Sequence, residues 1–211
     1  MTFGRGDLID LSPLASPATA VWPGDTPLTR EVLASLAEGS SVDLSTLHST
    51  VHLGTHTDSW SHVVEGSETI DRMPLDAYVG PCQVVHVEVG RNELVTPDHL
   101  PDLLEAPRLL VATGTFPDPD EFNTDFAAFD PDTPRWLAEH GGRLLGTDAP
   151  SVDVFSSRDL PTHHTCVERR LAILEGLVLA GVPDGVYELI ALPLRLAGFD
   201  ASPVRAVLRV P

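Results

Sequence analysis

The sequence contains no lysine, since all 13 of its basic residues are arginine. Without a lysine ε-amino group the chain can form neither a Schiff base nor the phosphate contact of a P-loop. It has only two cysteines, Cys82 and Cys166, and they do not form a C-x-x-C pair. The missing lysine excludes pyridoxal-phosphate enzymes and P-loop nucleotide hydrolases. For the two cysteines we expect reduced thiols in a cytoplasmic protein.

Long apolar runs and an excess of positive charge are also missing. No apolar run reaches the roughly 20 residues that a membrane helix needs, and residues 1–7 lack the apolar core of a signal peptide. The 31 acidic residues give a formal net charge of −18, which disfavours nucleic acid and anionic membranes as partners. No G-x-S-x-G motif is present, so a serine-hydrolase mechanism is not supported. We therefore expect a cytoplasmic protein with neither kind of partner.

Strand and helix patterns alternate along the chain. Residues 83–89 and 108–113 are β-rich or apolar runs typical of strands, and residues 132–140 form a helical pattern that two glycines end. With 211 residues, 42% of them hydrophobic, the chain can bury a substantial core, and no linker divides it. We expect one α/β domain that spans residues 1–211.

Ligand-type side chains are concentrated in residues 52–62. His52, His56, Asp58 and His62 lie at even offsets, so an extended backbone would direct them to one face. Imidazole nitrogens and carboxylate oxygens are donors that zinc, manganese and related divalent ions prefer. The clustering favours a metal site over a polar loop that happens to contain histidines.

The backbone of this stretch must bend to make such a site. Positions 50–57 include four β-branched residues, and Gly54 is a poor helix former, so a metal-binding helix is disfavoured. In a flat strand the Cα atoms of His52 and His56 would lie about 13 Å apart, too far for one ion. We therefore predict a bulge or turn at Gly54.

The pattern H-x-G-T-H-x-D-x-x-x-H at residues 52–62 resembles the signature of the cyclase-like metal-dependent hydrolases, the family of the bacterial kynurenine formamidases (arylformamidases). Residues 21–27, 74–82, 188–194 and 200–208 resemble further segments of the same family, so the likeness covers almost the whole chain. The resemblance implies a single α/β domain with a mixed β-sheet of the swivelling β/β/α type.

The resemblance also implies a centre of two metal ions. His52, His56 and Asp58 would hold one ion, and Asp58 would bridge it to a second ion held by His163 and Glu175. The family spacing of twelve residues selects His163 and Glu175, with His164 as a rival one position away. One continuous helix would separate this pair by about 18 Å, so we predict a break near residues 170–172, with residues 171–177 extended. Zinc is the first expectation, and manganese suits the same donors.

The implied reaction is the hydrolysis of N-formyl-L-kynurenine to formate and L-kynurenine by a homodimer. Two close metal ions would activate a water molecule and polarise the formyl carbonyl, and His62 would transfer protons. Trp22 lies in a proline-rich loop, where an indole either packs in the core or walls a ligand site. The resemblance favours a wall against the aromatic ring of the substrate.

One position departs from the family pattern. The family has D-A-P-x-H where this chain has Asp58-Ser59-Trp60-Ser61-His62. Trp60 therefore either forms a second aromatic surface for the substrate, narrowing the pocket, or packs in the core. Two other functions stay open: a related hydrolase acting on another aryl amide or on a cyclic amide such as isatin, and a metal-binding protein without turnover.

Overall fold

The structure, a computed structural model, describes residues 3–211. Two short α-helices lie among thirteen strands in this range, with 3-10 turns between them; neither helix is long and apolar enough to cross a membrane. The helices are α1 (Asp132–Glu139) and α2 (Pro161–Glu168). The strands are β1 (Leu8–Asp10), β2 (Thr29–Ala34), β3 (Leu44–His48), β4 (His56–Asp58), β5 (Val79–His86), β6 (Leu94–Val95), β7 (Arg108–Ala112), β8 (Ala128–Phe129), β9 (Leu144–Thr147), β10 (Ala172–Glu175), β11 (Gly185–Ile190), β12 (Ala201–Pro203) and β13 (Val207–Arg209).

Nine strands form one mixed sheet in the order β1-β13-β11-β5-β7-β9-β10-β4-β12. Strands β5, β7, β9 and β10 are parallel to one another, and the remaining pairs are antiparallel. Strand β12 forms one edge and β13 lies beside the other, yet only residues 204–206 separate them in the chain. The sheet therefore curls until its two ends approach each other. The predicted α/β class with a mixed sheet is confirmed.

Alternating side chains of the central strands bury two apolar cores. Leu110 of β7 faces the core inside the curl, with Tyr78 and Leu189, while its neighbour Leu109 faces the opposite side. Helices α1 and α2 cover that opposite core with Leu137 and Cys166. Because successive strand residues point to opposite faces, the buried central strands are apolar on both sides.

The predicted break after α2 is present. The helix ends at Glu168, and Arg170 has the left-handed φ of 56°. The N–H of Leu171 then donates to the carbonyl of Cys166 over 2.8 Å, which closes the helix C-terminus. The chain returns as β10, which ends at Glu175, so the extended part is shorter than the predicted 171–177. This reversal brings Glu175 back to the first turn of α2.

Candidate metal centre

The backbone bends at Gly54, as predicted. Gly54 has a φ of 53°, in the region that favours glycine, and it separates His52 in a loop from His56 on β4. The opposing Gly176 comes so near that a Cβ there would lie 2.3 Å from the Gly54 carbonyl oxygen. The Thr55 hydroxyl donates to the Gly176 carbonyl over 2.7 Å, which fixes the two turns against each other.

The pairing of β4 with β10 and the position of α2 bring the proposed ligands together. Glu175 is opposite His56 in the antiparallel register, and Glu175 Oε2 lies 3.2 Å from His56 Nε2. His163, in the first turn of α2, places its Nε2 3.4 Å from Asp58 Oδ2. His52 Nδ1 lies 3.1 Å from Asp58 Oδ1. The other four side chains thus meet around Asp58, whereas His164 is exposed on the outer face of α2.

The other ring nitrogen of each of these histidines already has a partner. His52 Nε2 contacts Asp200 Oδ2 at 2.9 Å, and His163 Nδ1 contacts Asp153 Oδ2 at 2.7 Å. His56 Nδ1 donates to the carbonyl of Gly54 over 2.9 Å. Such contacts to carboxylates and carbonyls are typical of metal-ligating histidines, whose remaining nitrogen is then directed at the ion. In all three rings the remaining nitrogen faces Asp58.

Asp58 is a buried carboxylate that hydrogen bonds do not satisfy. Within residues 3–211 neither of its oxygens has a hydrogen-bond partner of acceptable geometry, although imidazole nitrogens of three histidines lie 3.1–3.6 Å away. A buried, unsatisfied carboxylate is costly. A divalent cation between Asp58 and the imidazoles would remove this cost, so the donor set fits a metal.

Neighbouring charged groups shift the pKa values of the histidines and of Asp58 in this site. Burial disfavours the charged form of His52, but contacts with Asp200 and Asp58 outweigh it and raise the pKa of His52 to about 10. Burial likewise opposes charge on His163, and contacts with Asp153 and Asp58 raise its pKa to about 10. For Asp58, burial is outweighed by His163 and His52, which hold its pKa well below the usual range. Positive charge beside the buried Asp58 carboxylate is therefore favourable, and a divalent ion would also supply it.

His62 lies where the ligand cluster meets a cavity of about 1270 Å³. It is on the 3-10 turn Trp60–His62, and its ring centroid is 4.5 Å from that of His52 and 5.9 Å from that of His163. Its Nδ1 is 3.5 Å from Asp200 Oδ2. A partly exposed imidazole beside the cluster can exchange protons with a molecule in the cavity.

Trp22 forms part of an aromatic wall of this cavity. Its ring centroid lies 4.9 Å from that of Phe155 and 5.5 Å from that of Phe122, and Phe116 packs edge-on against Phe122. Trp22, Phe116 and Phe122 line the cavity together with the ligand cluster. The cavity therefore has an apolar, aromatic side and a side rich in ligand-type side chains.

Comparison with known proteins agrees with this geometry. A family model described as Cyclase matches residues 9–154, more than half of the chain. The chain belongs to the cyclase family. A relative named Kynurenine formamidase, from Salinibacter ruber, is 48% identical over 207 residues, which are 96% of this chain and 97% of the relative. Another of that name, from Bordetella petrii, is 43% identical over 204 residues, with the same shares covered.

A solved structure of similar fold is described as that of a potential metal-dependent hydrolase with cyclase activity. It is 30% identical and superposes with a TM-score of 0.82, covering 97% of this chain and 99% of its own. The mixed, curled sheet and its few helices are therefore shared with that protein along almost the whole chain.

Trp60 is a core residue. Its side chain is buried, and its indole N–H donates to the carbonyl of Leu171 over 2.9 Å. The Arg170 guanidinium lies 4.2 Å from the centre of its ring. Of the two alternatives that the sequence left open for Trp60, the structure favours packing in the core, and Trp60 is not among the described residues that line the cavity. The indole braces the turn that joins α2 to β10, which positions Glu175.

Removing this indole should lower stability. We expect Trp60→Ala to reduce the free energy of unfolding by about 3–5 kcal/mol, as for other large aromatic truncations in cores, without changing the relative rates on different substrates. Denaturant unfolding, compared with the partly exposed Trp136→Ala as control, measures this loss. A changed substrate preference at wild-type stability would contradict the core assignment.

Two acidic residues in the site were not predicted. Asp153 accepts hydrogen bonds from the backbone N–H groups of Thr162 and His163 as well as contacting the His163 ring. Nothing in its sequence surroundings marks it, because its partners come from the fold. Asp200 begins residues 200–208, a segment already noted for its family resemblance. The family resemblance of that segment was the signal that could have pointed to Asp200, although it did not indicate a role for the carboxylate.

Proposed function

We propose that the protein is a metal-dependent arylformamidase that hydrolyses N-formyl-L-kynurenine to L-kynurenine and formate. The convergence of four other ligand-type side chains on the unsatisfied Asp58, beside an aromatic-walled cavity, carries this proposal. Relatives at 43–48% identity that are named kynurenine formamidase support it. The aromatic wall suits the aryl ring of the substrate, and the ligand cluster suits its formamide end.

The ligand roles follow from which atoms face one another. His52, His56 and Asp58 would hold one ion, and Asp58, His163 and Glu175 would hold a second. We propose zinc, with manganese as the alternative that the same donors accept. When bound, the ions would polarise the formyl carbonyl and lower the pKa of a water molecule.

The chain's own residues supply binding and proton transfer. Trp22 and Phe122, which belong to the aromatic wall, would contact the aryl ring of the substrate. The formyl group would then point towards Asp58. His62 would accept the proton of the attacking water and return it to the anilide nitrogen, so that the amine leaves as a neutral group. His62 is suited to both steps because it is partly exposed at the cavity.

Trp22→Ala should weaken substrate binding without affecting the metal. Aromatic pairs contribute about 0.5–1.5 kcal/mol beyond burial, which corresponds to a rise in KM for formylkynurenine of roughly 2- to 10-fold. Steady-state kinetics and metal analysis of the same preparation measure both quantities, and Trp22→Phe, which keeps a ring, is the control. A loss of metal in Trp22→Ala would instead mean that the loop supports the ligand cluster.

The proposal as a whole is tested by metal analysis combined with formylkynurenine hydrolysis. We expect up to two divalent ions per chain, and activity that a chelator removes and added zinc or manganese restores. Less than half an ion per chain, with activity unaffected by chelators, would refute metal dependence. Opening of isatin without hydrolysis of formylkynurenine would move the function to a cyclic amide, and bound metal without any turnover would indicate a metal-binding protein.

We also propose that the enzyme is a homodimer. The hairpin of β2 and β3 leaves a group of large apolar side chains exposed, which favours contact with another protein surface. Light scattering of the purified protein would distinguish dimer from monomer. The exposed apolar side chains of this hairpin are those of Val32, Leu33, Leu36, Leu44 and Leu47.

The cytoplasmic location and the lack of nucleic-acid and membrane partners stay predictions from the sequence.

A further inference from the structure

Asp200 is anchored to the segment that carries the metal ligands. The backbone N–H and the hydroxyl of Ser59 both donate to the Asp200 carbonyl, each over 2.8 Å. Ser59 directly follows Asp58 and precedes the turn that carries His62. One step earlier, the carbonyl of Phe199 accepts from the N–H of Ile70 over 2.9 Å. The main chain at Asp200 is therefore held in register with both Asp58 and His62.

The carboxylate of Asp200 reaches two histidines with one oxygen. Its Oδ2 lies 2.9 Å from His52 Nε2 and 3.5 Å from His62 Nδ1. The opposite nitrogen of His52, Nδ1, faces Asp58 Oδ1 at 3.1 Å. Asp200 thus contacts the outer edge of one proposed metal ligand and the ring of the proposed proton-transfer residue.

We propose that Asp200 is a positioning residue that orients His52 towards the metal and His62 towards the substrate. This inference rests on the proposed metal-dependent hydrolysis. A carboxylate that accepts the outer N–H of a ligating imidazole fixes its tautomer and its rotation and makes the facing nitrogen a better donor. Asp153 makes the equivalent contact with His163, but it is buried and touches no second histidine of the site. Asp200 is the residue that links ligand and proton transfer.

Orientation of His52 by Asp200 matters because His52 is the least enclosed of the proposed histidine ligands. Its side chain is 17% exposed, compared with 4% for His56 and for His163. Packing therefore restrains His52 less than its partners, and the hydrogen bond to Asp200 supplies the restraint. The contact of the same Asp200 oxygen with His62 holds the His62 ring beside that of His52. The centroids of these two rings lie 4.5 Å apart.

The test uses the full chain with cobalt(II) as the probe metal, together with two variants. Asp200→Ala removes the acceptor, and Asp200→Asn removes the charge but keeps an oxygen that can accept from His52 Nε2. We expect the cobalt affinity of Asp200→Ala to fall about 10- to 100-fold, with a shifted visible spectrum and an unchanged number of ions at saturation. The kcat for formylkynurenine at saturating metal should fall by a similar factor while KM changes little, and Asp200→Asn should lie between Ala and wild type.

The control is Asp184→Asn, because Asp184 is an exposed aspartate that contacts another histidine, His86, at 2.6 Å. It should keep wild-type affinity, spectrum and kcat. Loss of one ion from Asp200→Ala at saturating cobalt would make Asp200 a ligand and overturn the proposal. Wild-type affinity, spectrum and kcat in Asp200→Ala would overturn it as well. If the wild type does not hydrolyse formylkynurenine, the proposed function fails, while cobalt affinity and spectrum still test Asp200.

Discussion

Asp58→Asn is expected to lose metal and activity together. The asparagine has nearly the same size, but it lacks the charge that would hold two ions on one side chain, and only one of its two terminal atoms can act as a metal donor. Loss of the metal ions removes several kcal/mol of transition-state stabilisation, which corresponds to a decrease in kcat of about 10³-fold or more. Elemental analysis and formylkynurenine hydrolysis on the same sample measure both losses.

The matched control for this change is Asp132→Asn on α1, where the carboxylate is exposed and pairs with Arg135. It should keep both metal and activity. Full occupancy of two ions in Asp58→Asn would show that this residue acts outside the ligand set. In that case the three imidazole nitrogens and Glu175 would have to hold the metal without a bridging carboxylate.

His62→Ala should keep the metal and lose turnover. A side chain that transfers protons in the transition state contributes roughly 10²- to 10⁴-fold to the rate, so kcat for formylkynurenine should fall within that range. Metal content should match the wild type because the five proposed ligands are intact. Stopped assays at saturating substrate, with metal determined on the same preparation, make this comparison.

His164→Ala is the companion variant, because His164 is exposed on α2 next to the proposed ligand His163. It should behave like the wild type in metal content and in rate. Nitrogen and oxygen atoms of His62, Asp58 and His163 lie within 4.8 Å of one another. Loss of an ion from His62→Ala would therefore show that His62 is a ligand, and an unchanged rate would remove it from the mechanism.

The sequence predicted those parts of the site that depend on local spacing. The register of His52, His56 and Asp58 is short, and the bend at Gly54 follows from the reach of an extended backbone. The break after α2 could be predicted because a helix of twelve further residues would carry Glu175 too far from His163. In each case a distance between neighbours in the chain restricted the backbone.

The features that the sequence left open or did not indicate depend on contacts between distant segments. Trp60 has the same local sequence whether its indole faces the cavity or the core, and only the position of Leu171 decides between them. Asp153 and Asp200 acquire partners through the start of α2 and through Ser59. The order of the strands at the sheet edges was equally inaccessible, because strand periodicity indicates which face is buried but not which strand is the neighbour.

The contact between Gly54 and Gly176 limits how this centre could be transplanted to another scaffold. The Gly54 carbonyl that a side chain at position 176 would strike is the same oxygen that accepts the Nδ1–H of His56. A designer who copied only the histidines and carboxylates would lose that acceptor as soon as any larger residue stood at position 176. The minimal portable unit therefore includes two residues that lie outside the proposed ligand set and have no side chain.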